Sequence, residues 1–226
     1  MRLVSLQVGK IKDYEKFKSA FIKDIYLQDA FISTLGLSEN EIADTKNHGG
    51  VFKAIFANAT SNYKLWEEFL GKKLRYGAMG ENLSLSGLDE MSVCVGDIHR
   101  LGEVVLQVSE PRSPCVKISK VHQKNDFCAK IFESGLSGWY YRVLKEGKCS
   151  VNTSLETSLE ITQKHPAKLS IMELNRLFYE PKTFLKQNPN LKEKIEQVKD
   201  ILSKEWQKSI ALRLKNQYDM SYMHNL

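Results

Sequence analysis

Residues 92–111, SVCVGDIHRLGEVVLQVSEP, set two glycine turns, Gly96-Asp97 and Gly102, among apolar residues. Glycine followed by a short polar residue permits a tight reversal, and β-branched flanks favour extended backbone. The stretch predicts strands at 92–95 and 103–108, with a further pairing segment around Ile98. Working outward, residues 3–8 alternate, 51–57 form a short apolar run, 83–85 a shorter one, and a strand is expected around 158–162. Helices interrupt this series. Residues 60–70 (TSNYKLWEEFL) begin with a capping residue, and 127–133 and 139–145 show helical spacing. Many short strands with two or three inserted helices predict a mainly β, barrel-like domain over residues 1–164.

After His165-Pro166 helix formers replace strand formers, which sets a domain boundary. A helix is expected over 169–179, beginning near Ser170 and ending at Pro181, with a second short segment over 182–187. Leu191, Ile195, Val198 and Leu202 recur at helical spacing in a third, extended through Trp206 and Leu212. Residues 165–226 thus read as a small three-helix domain, ending in a loose tail, DMSYMHNL.

Bulk composition narrows the function classes. With 226 residues, 42% hydrophobic and 27% charged, the chain can bury a sizeable core. Lys10 and Lys12 interrupt the N-terminus too early for a signal peptide, and no run is long and apolar enough to span a membrane, so a cytoplasmic location is expected. Cys94, Cys115, Cys128 and Cys149 are far apart, with neither a CxxC pair nor zinc-type spacing, and read as thiols. The net charge is +6, and eleven Lys/Arg stand against seven Asp/Glu from Ala167 onward. The basic residues alternate with acids, which fits a solvated helical face better than a specific nucleic-acid surface.

Three stretches carry candidate chemistry. In SEPRSPCVK, residues 109–117, Pro111 and Pro114 fix backbone angles around Cys115, and Arg112 and Lys117 would favour its thiolate if they face it. The alternative is an inert cysteine buried at a strand end, and core packing is the reading for Cys94, Cys128 and Cys149. In KNHGGVFKA, residues 46–54, Gly49 and Gly50 allow close backbone approach to an anion, His48 could hydrogen-bond a cofactor or carry a proton near neutral pH, and Lys53 could meet a phosphate. In GAMGENLSLSGL, residues 77–88, Glu81 and Asn82 place an acid and a dual donor and acceptor on a turn before a strand. Each of the last two stretches, read alone, is also an ordinary turn or exposed loop.

Taken in order, HGG, GEN, VGD and PRSPC, followed by GWYYRVLKEGK at 138–148, resemble the MOSC domain, the module named for the C-terminal part of molybdenum cofactor sulfurase. With the helical extension, the chain is similar to the stand-alone bacterial YiiM type, and the resemblance covers nearly its whole length. The resemblance implies a β-barrel whose cleft holds a molybdenum cofactor (Mo-pyranopterin), with Cys115 in the place of the family cysteine that ligates the metal. It makes Arg112, Lys53, Gly49 and Gly50 the suppliers of charge and amide donors for the cofactor phosphate. His48, Glu81 and Asn82 become pocket residues, Asp97 shapes its turn, and Trp139 and Arg142 are further wall residues. Two departures stand out: Val51-Phe52-Lys53 follows HGG where many relatives have Pro-Asp-Arg or similar, and Val151-Asn152-Thr153 replaces a late Gly-Asp.

The implied activity is reduction of small N-hydroxylated compounds, such as hydroxylaminopurine bases and hydroxylamine derivatives. This chain shows no flavin, haem or iron-sulfur signature, so an external reductase would supply the electrons. A homodimer is compatible with this reading. The rivals are a non-redox carrier of molybdenum cofactor or sulfur, with a persulfide on Cys115, and an interaction protein that uses its basic helical tail.

Overall fold

The computed structural model describes residues 1–151 and 158–221. Asn152 and Thr153 of the late departure, and residues 222–226 of the expected tail, lie outside the described residues. The strands are β1 (Arg2–Val8), β2 (Lys12–Tyr14), β3 (Phe17–Ser19), β4 (Ile25–Leu27), β5 (Asp29–Ser33), β6 (Gly36–Leu37), β7 (Ile55–Ala59), β8 (Leu83–Ser86), β9 (Ile98–Leu101), β10 (Val104–Pro111), β11 (Trp139–Lys145), β12 (Gly147–Ser150) and β13 (Leu159–Gln163). The helices are α1 (Thr45–His48), α2 (Tyr63–Leu70), α3 (Lys117–His122), α4 (Phe127–Ser134), α5 (Ile171–Tyr179), α6 (Pro181–Gln187), α7 (Leu191–Gln197) and α8 (Lys204–Leu214).

Eight strands form one sheet in the order β13-β9-β10-β11-β7-β8-β1-β4. All neighbours are antiparallel except β7 and β8, whose parallel pairing requires a crossover, supplied by α2 and the loop after it. A smaller sheet orders β12-β5-β6, and β2 pairs with β3. The mainly β architecture is as the sequence predicted, but the ladder does not close into a barrel. Among the described residues its two sides meet at one bridge, Arg2 with Ser158, beside which the Leu159 N–H donates to the Met1 carbonyl at 3.1 Å.

Residues 139–145 are a strand, not the helix their spacing predicted. β11 lies in the interior of the sheet between β10 and β7, and Trp139, Tyr140, Tyr141 and Val143 are all buried. A strand covered on both faces shows no alternation, so its apolar run carries no period that separates it from a buried helix. Residues 92–95 also differ from expectation. Asp89 accepts from the Ser92 N–H at 2.8 Å and Asp97 from the Cys94 N–H at 3.0 Å, leaving one isolated bridge, Cys94 with Ser170. Carboxylate capture of the backbone donors replaces the ladder. Residues 51–53 form a 3₁₀ turn opened by Gly50 at φ 89°, and β7 begins only at Ile55.

Ser170 caps α5 in a capping box: its hydroxyl accepts from the Glu173 N–H at 3.1 Å, and Glu173 accepts from the Ser170 N–H at 2.8 Å. The third predicted helix is broken. α7 ends at Gln197, residues Lys199–Ile201 make a 3₁₀ turn, Leu202 is extended, and Ser203 caps a new helix by accepting from the Trp206 N–H. One hydrophobic core runs from Leu6, Ile55 and Leu106 in the sheet through Leu174, Leu177 and Trp206 in the helices. A second cluster, with Trp66, Met79, Phe127 and Ile131, binds α2 to α4. Asp97, fully buried, accepts from the His165 N–H at 2.9 Å and pairs with Lys164 at 2.8 Å, which ties the Gly96-Asp97 turn to the start of the helical segment.

Candidate active site

β10 ends at Pro111, and the short segment from Arg112 to Val116 leads into α3, whose first turn is anchored when the Ile118 N–H donates to the Cys115 carbonyl at 3.1 Å. This places Cys115 in the wall of a cavity with about 730 Å³ of empty space, counting its open mouth. His48, Lys53, Asn82 and Arg112 line the same cavity, as do Lys117, Phe21, Phe56 and Tyr140. Segments from four distant parts of the chain therefore converge on one thiol. Among the four cysteines only Cys115 is half-buried. Cys94, Cys128 and Cys149 are buried, and desolvation pushes their thiols up to about 11, 12 and 11.

Arg112 is 5% exposed, and its guanidinium lies 5.3 Å from the centre of the Phe21 ring and 5.4 Å from that of Phe56. The two rings hold it by cation–π attraction. It forms no ion pair with a carboxylate among the described residues, an unusual state for a buried cation. The cavity wall carries five cations, Lys18, Lys23, Lys53, Arg112 and Lys117, against two acids, Glu41 and Asp44. Such a wall favours an anionic ligand.

His48 is shifted down to about 4, first by burial and then by the positive charges of Arg112, Lys117 and Lys53, against the opposing pull of Asp44. The shift favours the neutral imidazole near pH 7, the form that can both donate and accept a hydrogen bond. Gly49 and Gly50 turn the chain beside the cavity without lining it; Gly50 accepts from the Lys53 N–H at 3.0 Å and so aims Lys53 inward.

Asn82 spends its side chain on the framework. Its Oδ1 accepts from the Phe56 N–H at 3.2 Å and its Nδ2 donates to the Gln7 carbonyl at 3.2 Å, stitching β7 to β1. Glu81 lies behind the wall, fully buried: one oxygen accepts from the Tyr63 hydroxyl, from the Gly77 N–H at 2.8 Å and from the Ser84 hydroxyl at 2.8 Å. Burial raises its carboxyl above the ordinary range. Arg142 is not brought to the cavity; it donates to Gln107 at 2.7 Å and lies over Phe52. Trp139 is enclosed in the core.

Sequence reasoning missed Lys23, Phe21, Phe56 and Tyr140. The last two face each other in register across β7 and β11, with ring centres 5.2 Å apart. Their signal is the aromatic pair of positions, which the helical spacing of residues 139–145 conceals. Phe21 and Lys23 lie in a short loop with no motif of their own.

The sequence profile of the MOSC domain matches residues 44–156, a span that includes the His48, Asn82, Arg112 and Cys115 segments. The uncharacterised protein YflK of Bacillus subtilis is 35% identical over 78% of this chain and 80% of its own length. A protein of Gibberella moniliformis named as a reductase is 30% identical over 77% of this chain, although the match spans only 32% of that longer protein. The crystal structure of YiiM from Geobacillus stearothermophilus superposes with a TM-score of 0.73 at 31% identity, covering 94% of this chain and 98% of its own. On this agreement of sequence and fold, the chain belongs to the MOSC domain family.

Proposed function

We propose that the cavity binds molybdenum cofactor and that the protein reduces small N-hydroxylated compounds, such as hydroxylaminopurine bases, with electrons from a separate reductase. The observation that carries this reading is the shared wall of Cys115 and Arg112: a half-buried thiol beside a buried cation that has no carboxylate partner among the described residues. These residues fit the cofactor. A thiolate is the ligand type that a sulfur-bound metal accepts, and a guanidinium with no carboxylate partner among the described residues suits a phosphate. Cys115 would hold the metal; Arg112 and Lys53 would hold the phosphate. The bound group would supply two-electron redox chemistry at the N–O bond. The reaction as a whole is R–NH–OH + 2 H⁺ + 2 e⁻ → R–NH₂ + H₂O.

The chain's own part is to bind, orient and exclude water. Neutral His48 donates or accepts a hydrogen bond at the cavity wall without adding charge, and Phe21, Phe56 and Tyr140 supply an apolar lining. The net positive charge of the chain, +6, supports docking of an acidic electron donor. The test is metal and pterin content in protein made by a cofactor-competent host, followed by turnover of a hydroxylaminopurine with a chemical electron donor. Near-stoichiometric molybdenum in the wild type, lost in Cys115→Ala together with turnover, supports the reading; wild type without metal under adequate cofactor supply sinks it.

A further inference from the structure

Lys23 is a buried lysine in the cavity wall, 7% exposed. Its place is built rather than incidental. The Lys23 N–H donates to the Gly77 carbonyl at 3.1 Å, and Gly77, at φ 88°, passes so close that a Cβ there would lie 1.9 Å from the Lys23 carbonyl oxygen. On the other side, a Cβ at Gly9 would lie 2.9 Å from Cδ of the lysine stem. Two positions without side chains thus grip the residue. Its ammonium donates to the Ala20 carbonyl at 2.7 Å, and no carboxylate lies within ion-pairing distance among the described residues. Three donors are available to an ammonium, so this arrangement keeps capacity for a ligand.

The other groups of the wall are poorer proton donors. His48 is neutral, and Tyr140 is pushed up to about 12 by burial. Arg112 is held between the Phe21 and Phe56 rings. Lys53 is paired with Glu205 and Glu110, Lys117 with Asp44, and the exposed Lys18 with Asp13 at 3.5 Å. Lys23 differs: burial lowers it to about 8, opposed only by the charge of Glu81 behind it. Glu81, bonded to Tyr63 of α2, acts on its charge, and Lys18, Glu41, Asp44 and Arg112 line the same cavity.

We infer that Lys23 is the proton donor of the reductive reaction, giving its proton to the oxygen that leaves as the N–O bond breaks. This rests on the reading of the reaction given above. The electron pair comes from the external reductase; the leaving hydroxyl oxygen takes one proton, from Lys23, and departs as water, a second proton from solvent completes R–NH₂ at the nitrogen, and solvent reprotonates the neutral Lys23 amine.

Two substitutions and one chemical measurement test the assignment. In cofactor-loaded protein, Lys23→Met, close in length and without charge, lowers kcat by about 10²-fold with KM within about twofold of wild type. Lys23→Arg keeps the charge but cannot give up a proton, and it fails to restore kcat. Wild-type kcat is full below and falls above about pH 8, the value to which burial lowers Lys23, and that alkaline limb is absent from the residual activity of both variants. In cofactor-free protein, acetic anhydride labelling followed by mass spectrometry finds Lys23 half-reactive near the same pH, well below the exposed lysines. Near wild-type kcat in either variant, or a labelling midpoint equal to that of exposed lysines, overturns the proposal while leaving the reduction reading intact. A loaded wild type with no turnover overturns both.

Discussion

Lys53 in the cavity wall stands 3.1 Å from Glu205 on α8, so a residue of the last helix is paired with a residue of the site. The same ammonium lies 3.8 Å from fully buried Glu110, whose other oxygen accepts from the Ser203 N–H at 3.3 Å. The N-terminal end of α8 and the end of β10 meet at this lysine.

Glu110 gives the pair a pH signature. Burial raises its carboxyl to about 7, with Ser203 and Lys53 pulling the other way. The folded chain therefore keeps a proton that the unfolded chain has already released above the ordinary carboxyl value of 4.5. Its contribution to stability is largest below that value and is lost as the pH rises to about 7, by about 2–3 kcal/mol. Urea unfolding of wild type and Glu110→Gln across this window reads the difference: the wild-type slope is steeper by that amount, and parallel curves count against it.

His48 runs the opposite way. The unfolded imidazole takes a proton near 6.5, the folded one only near 4. Folding therefore loses stability as the pH falls through that interval. In ¹H–¹⁵N spectra the His48 ring signals stay at their neutral positions from about pH 8 down to about pH 5; a midpoint near 6.5 would contradict the buried, cation-flanked environment.

Arg112 is a buried cation without a carboxylate partner among the described residues. Arg112→Met removes that cation and keeps an apolar stem between Phe21 and Phe56, so the apo protein gains about 1 kcal/mol or loses none. The same variant loses the thermal stabilisation that millimolar pyrophosphate gives the wild type. Equal stabilisation of both proteins by pyrophosphate would show that the anion sits elsewhere.

Gly77→Ala is expected to cost at least about 3 kcal/mol, because the new Cβ meets a backbone oxygen while φ stays positive. Chemical denaturation measures it. Gly71→Ala is the control: the backbone there is also left-handed, but no atom lies within 4 Å of the added Cβ, and the expected cost is about 1 kcal/mol.

Several parts of this structure were legible in the sequence. β1, α2 and α4 follow from local pattern, and Ser170 and Glu173 mark the start of α5 by a rule three residues long. Cys115 drew notice through the prolines beside it, and the structure places it with His48, Lys53, Asn82 and Arg112 around one cavity. Other parts depend on long-range contacts. β11 is a strand because β10 and β7 hydrogen-bond it on both sides, which no window over its own seven residues contains. Lys23 is set apart by burial among Gly9, Gly77 and Glu81, three segments separated in the chain. Glu81 and Asn82 were found as a pair of polar residues on a turn, but only the fold shows that one backs the wall and the other sews strands together.

The single bridge between Arg2 and Ser158 has a consequence for how the molecule breathes. β10 and β11 share six registered pairs, whereas the described residues of this seam show one bridge. Amide hydrogens at Arg2 and Leu159 should exchange with deuterium well before those of β10 and β11, since local opening requires little more than the seam's own bonds to break. Phe56 and Tyr140, which line the cavity, belong to β7 and β11 in the middle of the strand order, away from that seam. The sheet can thus fray at one margin while the pocket wall at its centre remains assembled.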